Sequence, residues 1–207
     1  MREKFGPVDI AIANAGYCVS GKFEDLSVDD YQRQFNTNVL GVLQTVYAVL
    51  DDLKATRGQL VIVGSINGYM AFPGASAYAM SKFAIRALCD SLTHELRPYG
   101  ITVTHVAPGF VQSEIRQVDN FGVYQPDQYV GSRNALALSA NRAARLIIKA
   151  VARRKRGVVI SGHGKVAVWI ARHAPWLFDC ALRVRAWLKL RNRPVEVDEE
   201  SEEIASV

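Results

Sequence analysis

The chain has 207 residues, 49% of them hydrophobic, and a formal net charge of +5. That length predicts one domain with an apolar core of its own, and no run of 18 apolar residues marks a membrane-spanning helix. The three cysteines (Cys18, Cys89, Cys180) and four histidines (His94, His105, His163, His173) have neither a disulfide pattern nor metal-ligand spacing. No metal is therefore predicted, and a reducing, cytoplasmic setting is. No signal peptide is predicted either, because the apolar stretch 8–13 is too short for one.

In chain order, residues 8–13 read as a strand running into Asn14-Ala15-Gly16. Ser27, with Asp30 three residues on, has the form of a capping box opening a helix to about Lys54. Residues 59–64 form an apolar, β-branched run, a short buried strand ending at Ser65. A second helix is predicted over 76–96, stopping before Pro98 and Gly100, and a strand over 101–106 leads into Pro108-Gly109. Residues 108–138 lack periodicity. A helix over 139–154 and a strand over 157–161 follow. This alternation predicts an α/β fold with a parallel, doubly wound sheet.

Charge is distributed in blocks. Residues 142–193 hold 14 Lys and Arg against one acid, Asp179, and residues 194–207 hold six acids and no base. The acidic end reads as a disordered tail. Residues 165–193 interleave Trp169, Trp176 and Trp187 with Arg172, Arg183, Arg185, Lys189, Arg191 and Arg193. Pro175 is expected to split this segment into two helices. An amphipathic helix of that composition fits a membrane interface, giving possible peripheral membrane contact through 165–193; a helix packed over a pocket is the alternative. No nucleic-acid motif accompanies the basic block. Three regions are thus expected: a domain over 1–164, a basic amphipathic segment over 165–193 and the tail over 194–207.

The chemistry is carried by Tyr78 and Lys82. A spacing of four puts both on one helix face, where an ammonium would stabilise a phenolate and lower the tyrosine from its usual pKa of about 10. A tyrosine so tuned is a general acid or base. Ser65 stands at the carboxyl end of a strand, where open α/β sheets place ligands.

Asn38, Ser65, Tyr78 and Lys82, in that order between the Asn14-Ala15-Gly16 and Pro108-Gly109 turns, resemble the short-chain dehydrogenase/reductase family over residues 5–161. The resemblance implies a Rossmann-like sheet and hydride transfer between a nicotinamide cofactor and a ketone or secondary alcohol. It makes Tyr78 the proton donor, Ser65 a hydrogen-bond donor to the same substrate oxygen and Lys82 a contact to the nicotinamide ribose. Asn38 would hold a water of the proton relay. Asn14, Ala15, Gly16, Pro108, Gly109, Val111 and Ser113, with Tyr78 and Lys82, would bind NAD(P)(H), NADP being the narrower guess. The structural alternatives are a helix cap or kink for Asn38 and an ordinary strand-end serine for Ser65.

The family's opening strand and glycine-rich turn have no counterpart here, so the sheet is expected to be incomplete, lacking its first three strands, and the chain a truncated form. The alternative functions are a non-catalytic interaction protein that keeps the family's dimerising helices and a sugar-nucleotide epimerase, against which the Pro108-Gly109 turn and Asn38 argue. Tyr69, Met70, Phe72, Ile115, Phe121 and Tyr124, near the expected pocket, favour a hydrophobic or lipid-like ketone or alcohol, with core positions as the alternative. The helices 29–54 and 76–96 would make a homodimer or homotetramer.

Overall fold

Three stretches of alternating apolar strand and longer helix leave the chain one economical way to bury its strands, with helices on both sides of a parallel sheet. The computed structural model, which describes residues 2–126 and 136–191, has this arrangement. A single turn, α1 (Arg2–Phe5), precedes β1 (Ile10–Ala13). Then come α2 (Val28–Phe35), a π turn (Asn36–Leu40) and α3 (Gly41–Thr56), followed by β2 (Gln59–Val63), α4 (Ser76–Glu95) and β3 (Thr102–Ala107). The remainder is α5 (Ala140–Ala152), β4 (Gly157–Val159), α6 (Gly162–His173) and α7 (Pro175–Arg191). The four strands are parallel in the order β1-β2-β3-β4.

The register explains the two-sided core. Ala11 lies opposite Leu60 and Ala13 opposite Ile62, and these four face Val42, Val46 and Leu53 of α3 and Ile85 and Cys89 of α4. Val61 and Val106 face the other way and pack on Ala143 of α5 and on Ile160. Leu60, Val61 and Ile62 are wholly buried, as expected of a strand covered on both faces. β1 pairs with β2 alone among the described strands. Its Ile12, the register partner of buried Val61, remains 53% exposed, so the α5 side of the sheet is uncovered there.

The capping box forms as predicted. The Ser27 hydroxyl accepts from the Asp30 N–H while the Asp30 carboxylate accepts from the Ser27 N–H at 2.8 Å. The helix it opens is not continuous, however. At the π turn the Gly41 N–H reaches back five residues to the Asn36 carbonyl, and this widened turn carries Asn38 inward.

The chain divides into two units, Met1–Trp169 and Ile170–Val207. Pro175 opens α7, a position where its missing N–H costs nothing. At about 100° per residue, Arg183 falls on the same side of α7 as Trp176 and Trp187. The expected sorting into an apolar and a basic face is therefore absent from this helix. No described helix is long and apolar enough to cross a membrane. The predicted acidic tail, residues 194–207, lies outside the described residues.

Candidate active site

In a parallel sheet every strand delivers its carboxyl end to the same edge, and three predicted site segments meet there. Asn14, Ala15 and Gly16 follow β1, Ser65 follows β2, and Pro108, Gly109, Val111 and Ser113 follow β3. The last two segments are tied directly, since the Ile66 N–H donates to the Pro108 carbonyl at 2.9 Å. A side chain at Gly109 would collide with Ser161 and His163, so this turn depends on glycine. Val111 bridges to Leu138, and Ser113 leads into a short turn over Glu114–Arg116.

Ser65 caps the turn Ile66–Gly68, its hydroxyl accepting from the Asn67 N–H at 3.1 Å. The same hydroxyl shares a hydrogen bond with Tyr78 in the first turn of α4. One turn on, Lys82 is 5% exposed, with its Nζ 5.6 Å from the centre of the Tyr78 ring. That ammonium donates to the Val63 carbonyl at 3.1 Å, a strand-end acceptor. Gly68 permits the approach of turn and helix, because a Cβ there would sit 2.7 Å from the Lys82 carbonyl oxygen.

The electrostatics depart from the expectation drawn from spacing. Burial pushes the Tyr78 phenol up to about 12, opposed by the Ser65 hydrogen bond. Burial also brings the Lys82 ammonium down to about 8. Desolvation disfavours the charged form of each group, so it raises the acid and lowers the base. It outweighs any pull of lysine on tyrosine, and Tyr78 is a protonated phenol at neutral pH. Cys18, half-buried, lies close enough that its thiolate would raise both.

Asn38 is 1% exposed and fully engaged. Its Oδ1 accepts from the Tyr17 N–H at 3.2 Å, and its Nδ2 donates to the Tyr17 carbonyl and the Ser81 hydroxyl, both at 3.1 Å. Ser81 in turn donates to the Tyr78 carbonyl at 2.7 Å. Gly16 completes the packing: a Cβ there would lie 2.9 Å from Asn38 Oδ1 and 3.7 Å from Lys82 Nζ. Gln34 and Ser81 escaped the sequence reading. Both lie at helical spacing from a chosen residue, four before Asn38 and three after Tyr78.

A cavity of about 480 Å³ adjoins the site, lined by Gly16, Tyr17, Arg33, Asn36, Thr37, Val118, Phe121 and Gly122. Of the six aromatic and apolar residues expected around a pocket, only Phe121 lines it. Met70 is 3% exposed and belongs to the core, while Tyr69 packs beneath the Arg86 guanidinium at 4.2 Å.

Comparison with known proteins agrees with this geometry. The family model described as short chain dehydrogenase matches residues 1–121. The 3-dehydrosphinganine reductase of Danio rerio is 36% identical over 141 residues, covering 61% of this chain and 42% of the relative. The chain spans less than half the length of the curated reductases of this kind that it matches. Among solved structures, the alcohol dehydrogenase of Thermococcus sibiricus complexed with 5-hydroxy-NADP is 26% identical with a TM-score of 0.63, covering 76% of this chain and 64% of that one. A short chain dehydrogenase/reductase of Burkholderia phymatum in complex with NAD shares the fold at a TM-score of 0.73 and 22% identity, covering 85% and 69%.

The buried ammonium generates a stability prediction. Lys82 stands at about 8 in the fold against 10.5 as its ordinary value, so between those pH values the unfolded chain alone holds the proton. Stability from this group therefore rises with pH through that window. Lys82→Met, which removes the buried charge, is expected to raise the Tm at pH 7 by up to roughly 7–14 °C, on the scale of about 1.4 kcal/mol per pKa unit and 2–4 °C per kcal/mol. The gain should shrink by pH 10. Thermal melts at both pH values check this, and a lower Tm at pH 7 would contradict it.

Proposed function

The chain belongs to the short-chain dehydrogenase/reductase family, and from this premise we propose that it reduces a ketone to a secondary alcohol in a hydrophobic, lipid-like molecule. The observation that carries the reading is the convergence of Ser65, at the end of β2, with Tyr78 and the buried Lys82, whose Nζ lies 5.6 Å from the centre of the Tyr78 ring. At neutral pH the Tyr78 phenol holds the proton that reduction requires, and its raised pKa makes it a weak acid that gives the proton up only as negative charge develops on the substrate oxygen.

A nicotinamide cofactor supplies the hydride in such chemistry. The exposed Gly16, backed by Asn38 and Lys82, leaves room for a ligand to approach the backbone closely, so the residues present fit its nicotinamide and ribose end. Asn14, Ala15 and Gly16 on one side and Pro108, Gly109, Val111 and Ser113 on the other would hold it. We favour NADP(H), while the similar structures include both an NADP analogue and NAD. Tyr78 gives its hydroxyl proton to the substrate oxygen as negative charge develops there, and Ser65 donates a hydrogen bond to the same oxygen. Lys82, fixed on the Val63 carbonyl, holds positive charge beside the phenol as it becomes phenolate. The Asn38 amide is taken up by Tyr17 and Ser81, so its part in a proton relay would be to fix the Gly16 loop against α4.

The lipid-like substrate class is supported by the similarity to a 3-dehydrosphinganine reductase. Two exposed surfaces suit partners. Leu40, Tyr47, Met80 and Phe83, on the π turn, α3 and α4, are exposed apolar residues that fit contact with a second copy of the chain. On α7, Trp176, Leu177, Val184, Trp187 and Leu188 are exposed among Arg183 and Arg185. Without a separate apolar face, what supports contact of α7 with an anionic membrane is composition and charge, each basic residue near such a surface contributing about 1 kcal/mol.

Tyr78→Phe in the whole protein is expected to lower kcat about 100- to 10,000-fold, the range of a lost general acid, while leaving NADPH affinity unchanged. Steady-state kinetics with fluorescence titration of NADPH measures both, and a variant that keeps most of its kcat would remove Tyr78 as proton donor. For α7, co-sedimentation with phosphatidylserine-containing vesicles should be detectable at low salt and weaken as salt rises. Binding that survives deletion of residues 165–193 would contradict the assignment to this segment.

A further inference from the structure

Gln34 is wholly buried, yet its amide makes no bond within its own helix. Its Oε1 accepts from the Val19 N–H at 2.7 Å and its Nε2 donates to the Tyr17 carbonyl at 2.9 Å. Asn38 takes the other groups of the same segment, so the Tyr17 carbonyl receives one N–H from each of the two amides. In a regular α-helix, residues four apart are offset by about 40° around the axis. The π turn at Asn36–Leu40 lies between the two amides and brings them to bear on one stretch of backbone. A leucine would fill this site at lower desolvation cost. A glutamine is favoured only because the backbone it meets, at Tyr17 and Val19, is itself buried and needs partners.

The clamped segment directly follows Gly16 and carries Cys18. Asn38 leads on through Ser81 to the Tyr78 carbonyl. We infer that Gln34 is a positioning residue for the proton-transfer site, fixing the Tyr17–Val19 backbone so that Asn38 and Gly16 keep their places against Lys82 and Tyr78. The inference rests on the reading of Tyr78 as proton donor. Gln34 touches neither Tyr78 nor Lys82 through a hydrogen bond and acts through the loop and Asn38. Misplacement of a catalytic group by about 1 Å can cost up to 100-fold in rate, so a loosened clamp should register in kcat rather than in substrate affinity.

The test compares Gln34→Leu, Gln34→Glu and Tyr78→Phe in the whole protein, with phenanthrenequinone as the carbonyl probe and NADPH as reductant, each rate referred to folded protein. Gln34→Leu removes both bonds and is expected to lower kcat at least tenfold, with KM for the probe little changed. Gln34→Glu keeps the shape. Its carboxylate can accept from Val19 but repels the Tyr17 carbonyl, whereas its protonated form restores both bonds. The kcat of Gln34→Glu relative to the unmodified protein should therefore recover severalfold as pH falls from 8 to about 5.5, the range in which a buried glutamate takes up its proton. Rescue by acid in the rate per folded molecule is a signature that a merely structural role would not produce. If both Gln34 variants keep the unmodified kcat per folded molecule at every pH while Tyr78→Phe is inactive, Gln34 is overturned and the Tyr78 reading stands. If Tyr78→Phe itself turns over normally, the underlying reading fails first.

Discussion

The site depends on keeping a positive charge where almost no water reaches it. Lys82 is 5% exposed, and its ammonium is held by one strand-end carbonyl, that of Val63. A carbonyl at the end of a strand has no further ladder partner to serve, which frees it for this role. Neighbouring residues are constrained by the same charge. Gly16 must lack a side chain because Nζ and the Asn38 amide occupy that space, and Gly68 must lack one because the backbone of α4 passes over it. Tyr78, one turn before, is half-buried against the same packing, while Lys82 is buried.

In the proposed reaction, that packing sets which form of each group is at rest. A tyrosine beside an ammonium in a polar surrounding would be easier to ionise. Here desolvation acts on both groups, raising the phenol and lowering the ammonium. The pair is therefore balanced toward neutral tyrosine and a lysine close to losing its proton. Such a pair gives up a proton from Tyr78 only when an acceptor of developing negative charge lies against it. In the proposed reaction, a substrate oxygen held by Ser65 would meet that requirement.

Much of this was legible in the residues. The alternation of apolar strands and helices gave the parallel sheet because hydrophobic periodicity is a local property, and the Ser27–Asp30 capping box is written in adjacent side chains. The meeting of Ser65 and Pro108 followed from strand direction, whereas Tyr78 was set beside them by its helical spacing to Lys82 and by the family resemblance. The π turn was not legible, since nothing in Asn36-Thr37-Asn38 distinguishes a widened turn from a regular one until the loop it reaches is known. Gln34 was missed for the same reason: its partners are backbone groups 15 and 17 residues away. The pKa directions were misread because spacing reports which charges are neighbours and says nothing of how much water surrounds them. For Met70, apolar character could not choose between pocket and core, and the fold puts it in the core.

The most direct measurement is the titration of the Tyr78 phenol itself. With tyrosine labelled at the ring carbon bearing the hydroxyl, carbon NMR follows each phenol separately, and the Tyr78→Phe spectrum identifies the resonance. Burial beside a lysine that is itself shedding charge predicts that this resonance stays in its protonated position beyond the ordinary tyrosine value of about 10, consistent with a phenol pushed up to about 12. A Tyr78 that ionises between pH 6 and about 8, below the reference value, would contradict the account, because the ammonium would then dominate over burial and the phenolate would be the resting state.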